Sequence, residues 1–145
     1  MMASTQETIH FLAKVPLFRN LKKRQLEALV RQVATQDYEA GQEIVTQGKG
    51  GAGLFIVASG SAQAIHMRPD GTKAMVNVFE STDFFGELAL LSEGPRTATV
   101  IATEPTQCLI LTRWNFLSVL RNDADMAISI LEEIADRFRI TLGVL

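Results

Sequence analysis

A stretch of sixteen residues, Phe85 to Val100, holds the side chains best suited to chemistry in this 145-residue chain. Gly86 precedes a short run, Glu87 to Leu91, whose residues favour helix over strand. A glycine at that place lets a ligand approach the unpaired N–H groups of the first turn, which attract anions through their free donors and local dipole. Glu87 would repel a phosphate that it touched, so a carboxylate here fits better as the acceptor for a sugar hydroxyl. Arg96 supplies the cation, since its planar fork matches two phosphate oxygens in a charge-assisted pair. Pro95 stiffens the approach to it, Thr97 adds a hydroxyl donor, and the N–H groups of Thr97 and Ala98 are able to point the same way. One sugar and one phosphate imply a nucleotide. On residue types alone, an exposed Glu87–Arg96 ion pair with Gly86 as a turn residue accounts for the same features equally well.

The elements that would position these residues follow from periodicity. From Glu7 to Val33 apolar residues recur at three- and four-residue spacing (Ile9, Leu12, Ala13, then Leu26, Leu29, Val30, Val33), which predicts short amphipathic helices. Asn20 is the expected cap of the second one, and the intervening turn Val15-Pro16-Leu17-Phe18 carries hydrophobes that must dock. Beyond Thr35 the period drops to two. Strand-like runs at Tyr38–Val45, Leu54–Ala58, Ala62–Met67, Ala74–Phe79, Thr97–Ala102 and Gln107–Leu111 are separated by glycine- and proline-rich turns. Arg68-Pro69-Asp70-Gly71 lies between two of them and predicts a hairpin. From Thr112 the pattern is helical again. Thr112 caps the first of two helices and Asp123 or Asp125 opens the second, which runs to about Leu142 with Ile128, Leu131, Ile134, Ala135, Phe138 and Leu142 as an apolar stripe. The predicted class is mainly β with flanking helices: a jelly-roll barrel with short N-terminal helices and two C-terminal helices. The expected organisation is one domain over 1–145, with helices in 1–34, the jelly roll in 35–112 and helices in 113–145.

The full string Phe85-Gly86-Glu87-Leu88-Ala89-Leu90, a short spacer, then Pro95-Arg96-Thr97-Ala98 resembles the phosphate-binding cassette of the cyclic nucleotide-binding domain family, and every position of the pattern is matched. The likeness extends to Leu17-Phe18 before a helix, to Gly41, Ile44 and Gly48, to Leu54–Gly60 and to the closing pair of helices. That family includes the sensor domains of bacterial catabolite activators, the regulatory subunits of cyclic-nucleotide-dependent kinases and cyclic-nucleotide-gated channels. The resemblance implies that Glu87 bonds the ribose 2′-hydroxyl and Arg96 the cyclic phosphate, with Gly86, Leu88, Thr97 and Ala98 as backbone or hydroxyl donors. Phe85, Ala89 and Pro95 complete the expected contact set.

The base is specified less well. A threonine after the arginine is associated with cGMP in kinase domains, whereas a hydroxyl residue there serves cAMP in the catabolite activators, so Thr97 does not decide. Thr141, counted forward without a gap from Arg96, falls where the activators carry a threonine that meets the adenine amino group. The expected ligand is therefore cAMP, with cGMP as the alternative, and Ile65, Val76 and Asn77 are candidates to line the base. In this family the ligand rearranges the last helix and so signals to an effector. The α-helical stripe from Ile128 to Leu142 would serve as that moving lid, as a homodimer seam, or as plain core packing. No effector motif is visible, so the output module is expected elsewhere. A non-binding interaction domain of the same fold is the rival reading.

Other classes are excluded on counts. Two histidines, His10 and His66, are too few for the metal site of a jelly-roll enzyme, and His66 at a strand end is expected to be solvated. The single cysteine, Cys108, lies in an apolar run, lacks a neighbouring base and cannot hold an iron–sulfur cluster, so the chain is expected to be non-enzymatic, without a required cofactor. Net charge is only −2 and Lys22-Lys23-Arg24 reads as a solvated helix face, which predicts no nucleic-acid contact. No window approaches the roughly 18 apolar residues of a membrane span, and the buried thiol fits a cytoplasmic setting.

Overall fold

The computed structural model describes residues 4–50, 53–92 and 94–143, and the chain divides into two compact units: 33–113, and the two chain ends 1–32 with 114–145. The inner unit is mainly β. Strands β1 (Ala34–Tyr38), β2 (Glu43–Val45), β3 (Gly53–Ser59), β4 (Ser61–Met67), β5 (Lys73–Glu80), β6 (Phe84–Phe85), β7 (Thr99–Ala102) and β8 (Thr106–Thr112) form two four-stranded sheets in the orders β1-β8-β3-β6 and β2-β7-β4-β5. Each strand pair is antiparallel, and chain neighbours lie in opposite sheets except β4 and β5, which pair as a hairpin; this is the jelly roll predicted from the short strands and regular turns.

Alternation along the strands sets the core. Ala62 and Ala64 of β4, Val57 of β3, Phe79 of β5 and Val100 of β7 are buried together, with Ile44, Val45, Phe85 and Ala98 packed on them. A second cluster joins Tyr38, Ala102 and Cys108. Each fully buried aliphatic side chain contributes roughly 1.5–3 kcal/mol.

The run Tyr38–Val45 departs from expectation, for it is two strands in different sheets. The backbone reverses at Glu39–Gln42, where Gln42 N–H donates to the Glu39 carbonyl (3.0 Å) and Gly41 N–H to that of Ala102 (2.7 Å). Gly41 takes a φ of +86°, a left-handed conformation that a side chain disfavours, and this allows the strand to change sheets at the corner. The hairpin at Arg68–Gly71 is present, closed by Arg68 N–H on the Thr72 carbonyl and by the Asp70 carboxylate on Thr72.

The second unit is helical: α1 (Thr5–Ala13), a 3₁₀ turn (Pro16–Phe18), α2 (Lys23–Val30), α3 (Arg113–Arg121, of which Arg113 belongs to the β unit) and α4 (Ala124–Leu142). Val15, Leu17 and Phe18 are fully buried as expected, with the Phe18 ring 5.8 Å from that of Phe116. Asn20 does not cap α2. A turn bond from Leu21 N–H to the Phe18 carbonyl delays the helix, and Gln25 Oε1 instead accepts the Lys22 N–H (2.8 Å). Asp123, not Asp125, caps α4 by accepting from Met126 N–H (3.0 Å), and this bond holds its carboxyl below the usual range.

The apolar stripe read on α4 is not what the helix buries. Met126, Ile130 and Glu133 are inward, and Glu133, 4% exposed, pairs with Arg19 at 2.8 Å. Leu131 and Phe138 are 64% and 62% exposed. The helix carries apolar residues on two faces, so apolar spacing alone could not tell which of them packs. No helix among the described residues is long and apolar enough to cross a membrane.

Candidate functional site

The cassette hangs from the short strand β6, which pairs Phe85 with Phe55 and Phe84 with Ile56 of β3. Phe85 stacks on Phe55 with centroids 5.2 Å apart and tilts onto Phe79 at 4.9 Å, so the entrance to the loop is fixed by aromatic packing. Gly86 follows with φ +81°; a Cβ there would fall 2.6 Å from Arg96 Nη1 and 2.6 Å from the Gly53 carbonyl oxygen. Close approach of backbone and guanidinium thus requires glycine. Glu87–Leu90 is a single 3₁₀ turn, tighter than the α-helix its composition favours, anchored by fully buried Leu90. Gly86, Glu87, Leu88, Ala89, Pro95, Arg96 and Thr97 line one cleft of about 460 Å³.

Arg96 joins this cleft to a second of about 360 Å³, lined by Ile44, Val45, Thr46, Lys49, Phe55 and Ile110. Its main chain is held on both sides: the amide donates to the Lys49 carbonyl (3.0 Å) and the carbonyl accepts from Gly48 N–H (2.8 Å). Its Nη2 donates to the Gly53 carbonyl (3.1 Å) and the guanidinium lies 5.7 Å from the centre of the Phe55 ring. Nε is buried without a hydrogen-bond partner among the described residues. Burial pulls the Arg96 pKa down from its ordinary value, which is the electrostatic mark of a cation removed from water. A cation so placed attracts an anion strongly, because desolvation has already been met by the fold.

The other candidates are distributed unevenly. Ala98 packs against the sheet core while Thr97 is exposed at the cleft. Asn77 pairs with Ala64 on the same face of the sheet but is itself exposed, and Val76, also exposed, is the extra residue of a bulge, since the next pair is Ile65 with Met75. Ile65 lies on the opposite face of that sheet and lines a separate depression of about 670 Å³ with Glu43, His66, Lys73, Thr99 and Ile101. This depression is the larger, but among the described residues no buried, unpartnered cation lines it. Arg96, with its buried Nε, lines the other two clefts instead. Thr141 belongs to the helical unit, where its hydroxyl donates to the Arg137 carbonyl one turn earlier (3.0 Å).

Sequence reasoning placed Gly48 and the run containing Phe55 in the family likeness but gave no role to them, to Lys49 or to Gly53; in the structure Gly53 and Phe55 hold the Arg96 guanidinium, and Gly48 and Lys49 hold its main chain. Nor is His66 merely solvated: its Nδ1 lies 2.7 Å from the Thr97 carbonyl.

Comparison with known proteins agrees with this geometry. The cyclic nucleotide-binding domain profile matches residues 35–123. A cAMP-dependent protein kinase regulatory subunit from Mucor circinelloides f. lusitanicus is 34% identical over 111 residues, covering 77% of this chain and 26% of the relative. A cGMP-dependent protein kinase from Eimeria tenella is 36% identical over 107 residues, covering 74% of this chain and 10% of the relative. The chain therefore spans 26% and 10% of the lengths of these two curated relatives. The crystal structure of the N-terminal domain of a transcriptional regulator from Streptomyces coelicolor A3(2) superposes with a TM-score of 0.85 at 28% identity, over 92% of this chain and 93% of that one. With the cassette, the jelly roll and the profile match in agreement, the chain belongs to the cyclic nucleotide-binding domain family.

Proposed function

We propose that this chain is a non-catalytic sensor that binds a cyclic nucleoside monophosphate, with cAMP preferred over cGMP. The observation that carries the reading is Arg96: a half-buried guanidinium, bonded to a single carbonyl, with Nε unpartnered among the described residues and shared by two clefts. The cyclic phosphate docks on Arg96 and the amides of Thr97 and Ala98. Glu87, in the same cleft, takes the ribose 2′-hydroxyl, and Asn77 and Val76 edge the base. Preference for cAMP rests on Thr141 as the contact to the adenine amino group. The named relatives are divided between a cAMP- and a cGMP-dependent kinase and so favour neither base.

In this reading the helical and β units act as one regulatory domain and α4 passes the signal on to an effector. Ile128, Leu131, Ala135, Phe138 and Leu142 recur at three- and four-residue spacing and are all exposed, the pattern of a coiled-coil seam, so α4 pairs with that of a second copy. The compartment is the cytoplasm, with Cys108 a reduced core thiol.

Calorimetric titration of cAMP and cGMP into the purified chain tests the ligand. Saturable cAMP binding is expected, weakened about 10- to 150-fold by Arg96→Ala, the equivalent of losing a charge-assisted hydrogen bond of roughly 1.5–3 kcal/mol. Two flat titrations would leave the rival, a non-binding interaction domain. Sedimentation of the native chain and of Leu131→Asp tests the seam, which is refuted if the native chain is monomeric throughout the micromolar range.

A further inference from the structure

The ladder between β4 and β7 ends at the pair Ile65–Thr99, and beyond it the cassette peels away from the sheet. Side chains replace the missing main-chain bonds there. Gln47 closes both polar groups of Met67, accepting from its N–H (2.7 Å) and donating to its carbonyl (2.9 Å), while its own amide donates to Thr99 Oγ1 (2.9 Å). His66 Nδ1 lies 2.7 Å from the Thr97 carbonyl. A carbonyl oxygen only accepts, so Nδ1 carries the proton.

A trans peptide sets its carbonyl and its N–H in opposite directions. The Thr97 carbonyl belongs to the peptide whose other end is the Ala98 N–H, so a donor that fixes the one aims the other. In the preceding peptide Gly48 N–H does the same to the Arg96 carbonyl (2.8 Å), and thereby aims the Thr97 N–H. Neither the Thr97 nor the Ala98 amide donates to another described group. We infer that His66 is a positioning residue of the nucleotide site: from outside the cleft it turns the Thr97–Ala98 peptide so that the Ala98 N–H is presented to one exocyclic oxygen of the cyclic phosphate. This role rests on the nucleotide reading above and adds a residue outside the cassette to it.

Two measurements test the role. In the free protein, the imidazole ¹⁵N spectrum of His66 shows the Nδ1–H tautomer; an Nε2–H tautomer with bare Nδ1 would overturn the inference whatever the chain binds. Titrations of cAMP and of its two diastereomeric phosphorothioates are then compared for native protein, His66→Leu and His66→Asn. In the asparagine variant the side-chain amide nitrogen sits the same number of bonds from Cα as Nδ1. His66→Leu is expected to weaken cAMP about tenfold, the worth of one hydrogen bond, and to flatten the native preference between the diastereomers, while His66→Asn restores both to within about threefold. Weakened binding with an unchanged diastereomer ratio would mark a merely structural residue and overturn the inference, as would native binding in the leucine variant. Native protein that binds no cyclic nucleotide refutes the nucleotide reading and this role with it, and that outcome is distinct from loss of the role alone.

Discussion

Replacing Gly86 by alanine tests how the site is built, because it adds one methyl group between Arg96 and the backbone of β3. The added Cβ lies 2.6 Å from the Gly53 carbonyl oxygen and 2.6 Å from Arg96 Nη1, and Gly86 has φ +81°. An L-residue in the left-handed region costs about 1–2 kcal/mol. The guanidinium must also leave the Gly53 carbonyl, forfeiting a hydrogen bond from a charged donor worth roughly 1.5–3 kcal/mol. We expect a total loss of about 3 kcal/mol or more, hence a fall in Tm of roughly 10 °C. Gly41→Ala provides the control: its φ is +86°, yet a Cβ there meets nothing within 4 Å, so it bears the conformational cost alone. Thermal unfolding followed by circular dichroism, with cAMP titration of each variant, separates the two contributions. The reasoning is refuted if Gly86→Ala melts with Gly41→Ala and keeps native cAMP affinity.

Four further outcomes follow from the same contacts. Arg96→Met forfeits the same bond to the Gly53 carbonyl but also removes the desolvation cost of a half-buried cation with an unpartnered Nε, so the two offset and the nucleotide-free chain should stay within about 1 kcal/mol of native stability while cAMP binding is lost; a loss beyond about 2 kcal/mol in denaturant titration would make Arg96 a structural residue. Thr82 is a β-branched residue at φ +80°, and Thr82→Gly should raise stability by about 0.5–1 kcal/mol in the same assay, with no gain counting against strain at that turn. Arg19→Ala strips the partner from buried Glu133 and should cost about 1.5–3 kcal/mol, whereas Glu133→Gln, which keeps an acceptor, should cost less; equal losses would contradict the ion pair's role. Burial pushes the Cys108 thiol up to about 12 from 9.0, so native protein should resist thiol reagents at pH 8; the folded chain holds the proton more tightly, and stability complete below pH 9 should decline as pH rises toward 12. Rapid modification of the native chain would contradict that burial.

The parts of the fold legible in the sequence were those decided by local rules. Asp123 sits where a cap belongs, Arg68–Gly71 has hairpin chemistry, and alternation in Ala62–Met67 gives the buried face of β4. Elements decided by tertiary competition were not legible. The break between Tyr38 and Glu43 needs the Gly41 amide to find the Ala102 carbonyl, a partner 61 residues away (102 − 41). On α4, either of two apolar faces satisfies helical spacing, and the choice of Met126 and Ile130 is made by the unit that they pack into. At the candidate site, Gly86 to Ala89 and Pro95 to Thr97 are close in sequence and line one cleft, so they could be read as a group. Gly53, Phe55 and His66 act through a backbone carbonyl, a ring face and a ring nitrogen across strands, and residue type carries no sign of such roles.

A crystal structure of the chain grown with cAMP is the most direct test of the central claim, that Arg96 receives the cyclic phosphate. The account predicts that Arg96 turns from the Gly53 carbonyl to place its guanidinium about 2.7–2.9 Å from the exocyclic phosphate oxygens, with the ribose 2′-hydroxyl on Glu87. Nucleotide bound in the larger depression beside Ile65 and Thr99, with Arg96 still on Gly53, would contradict it.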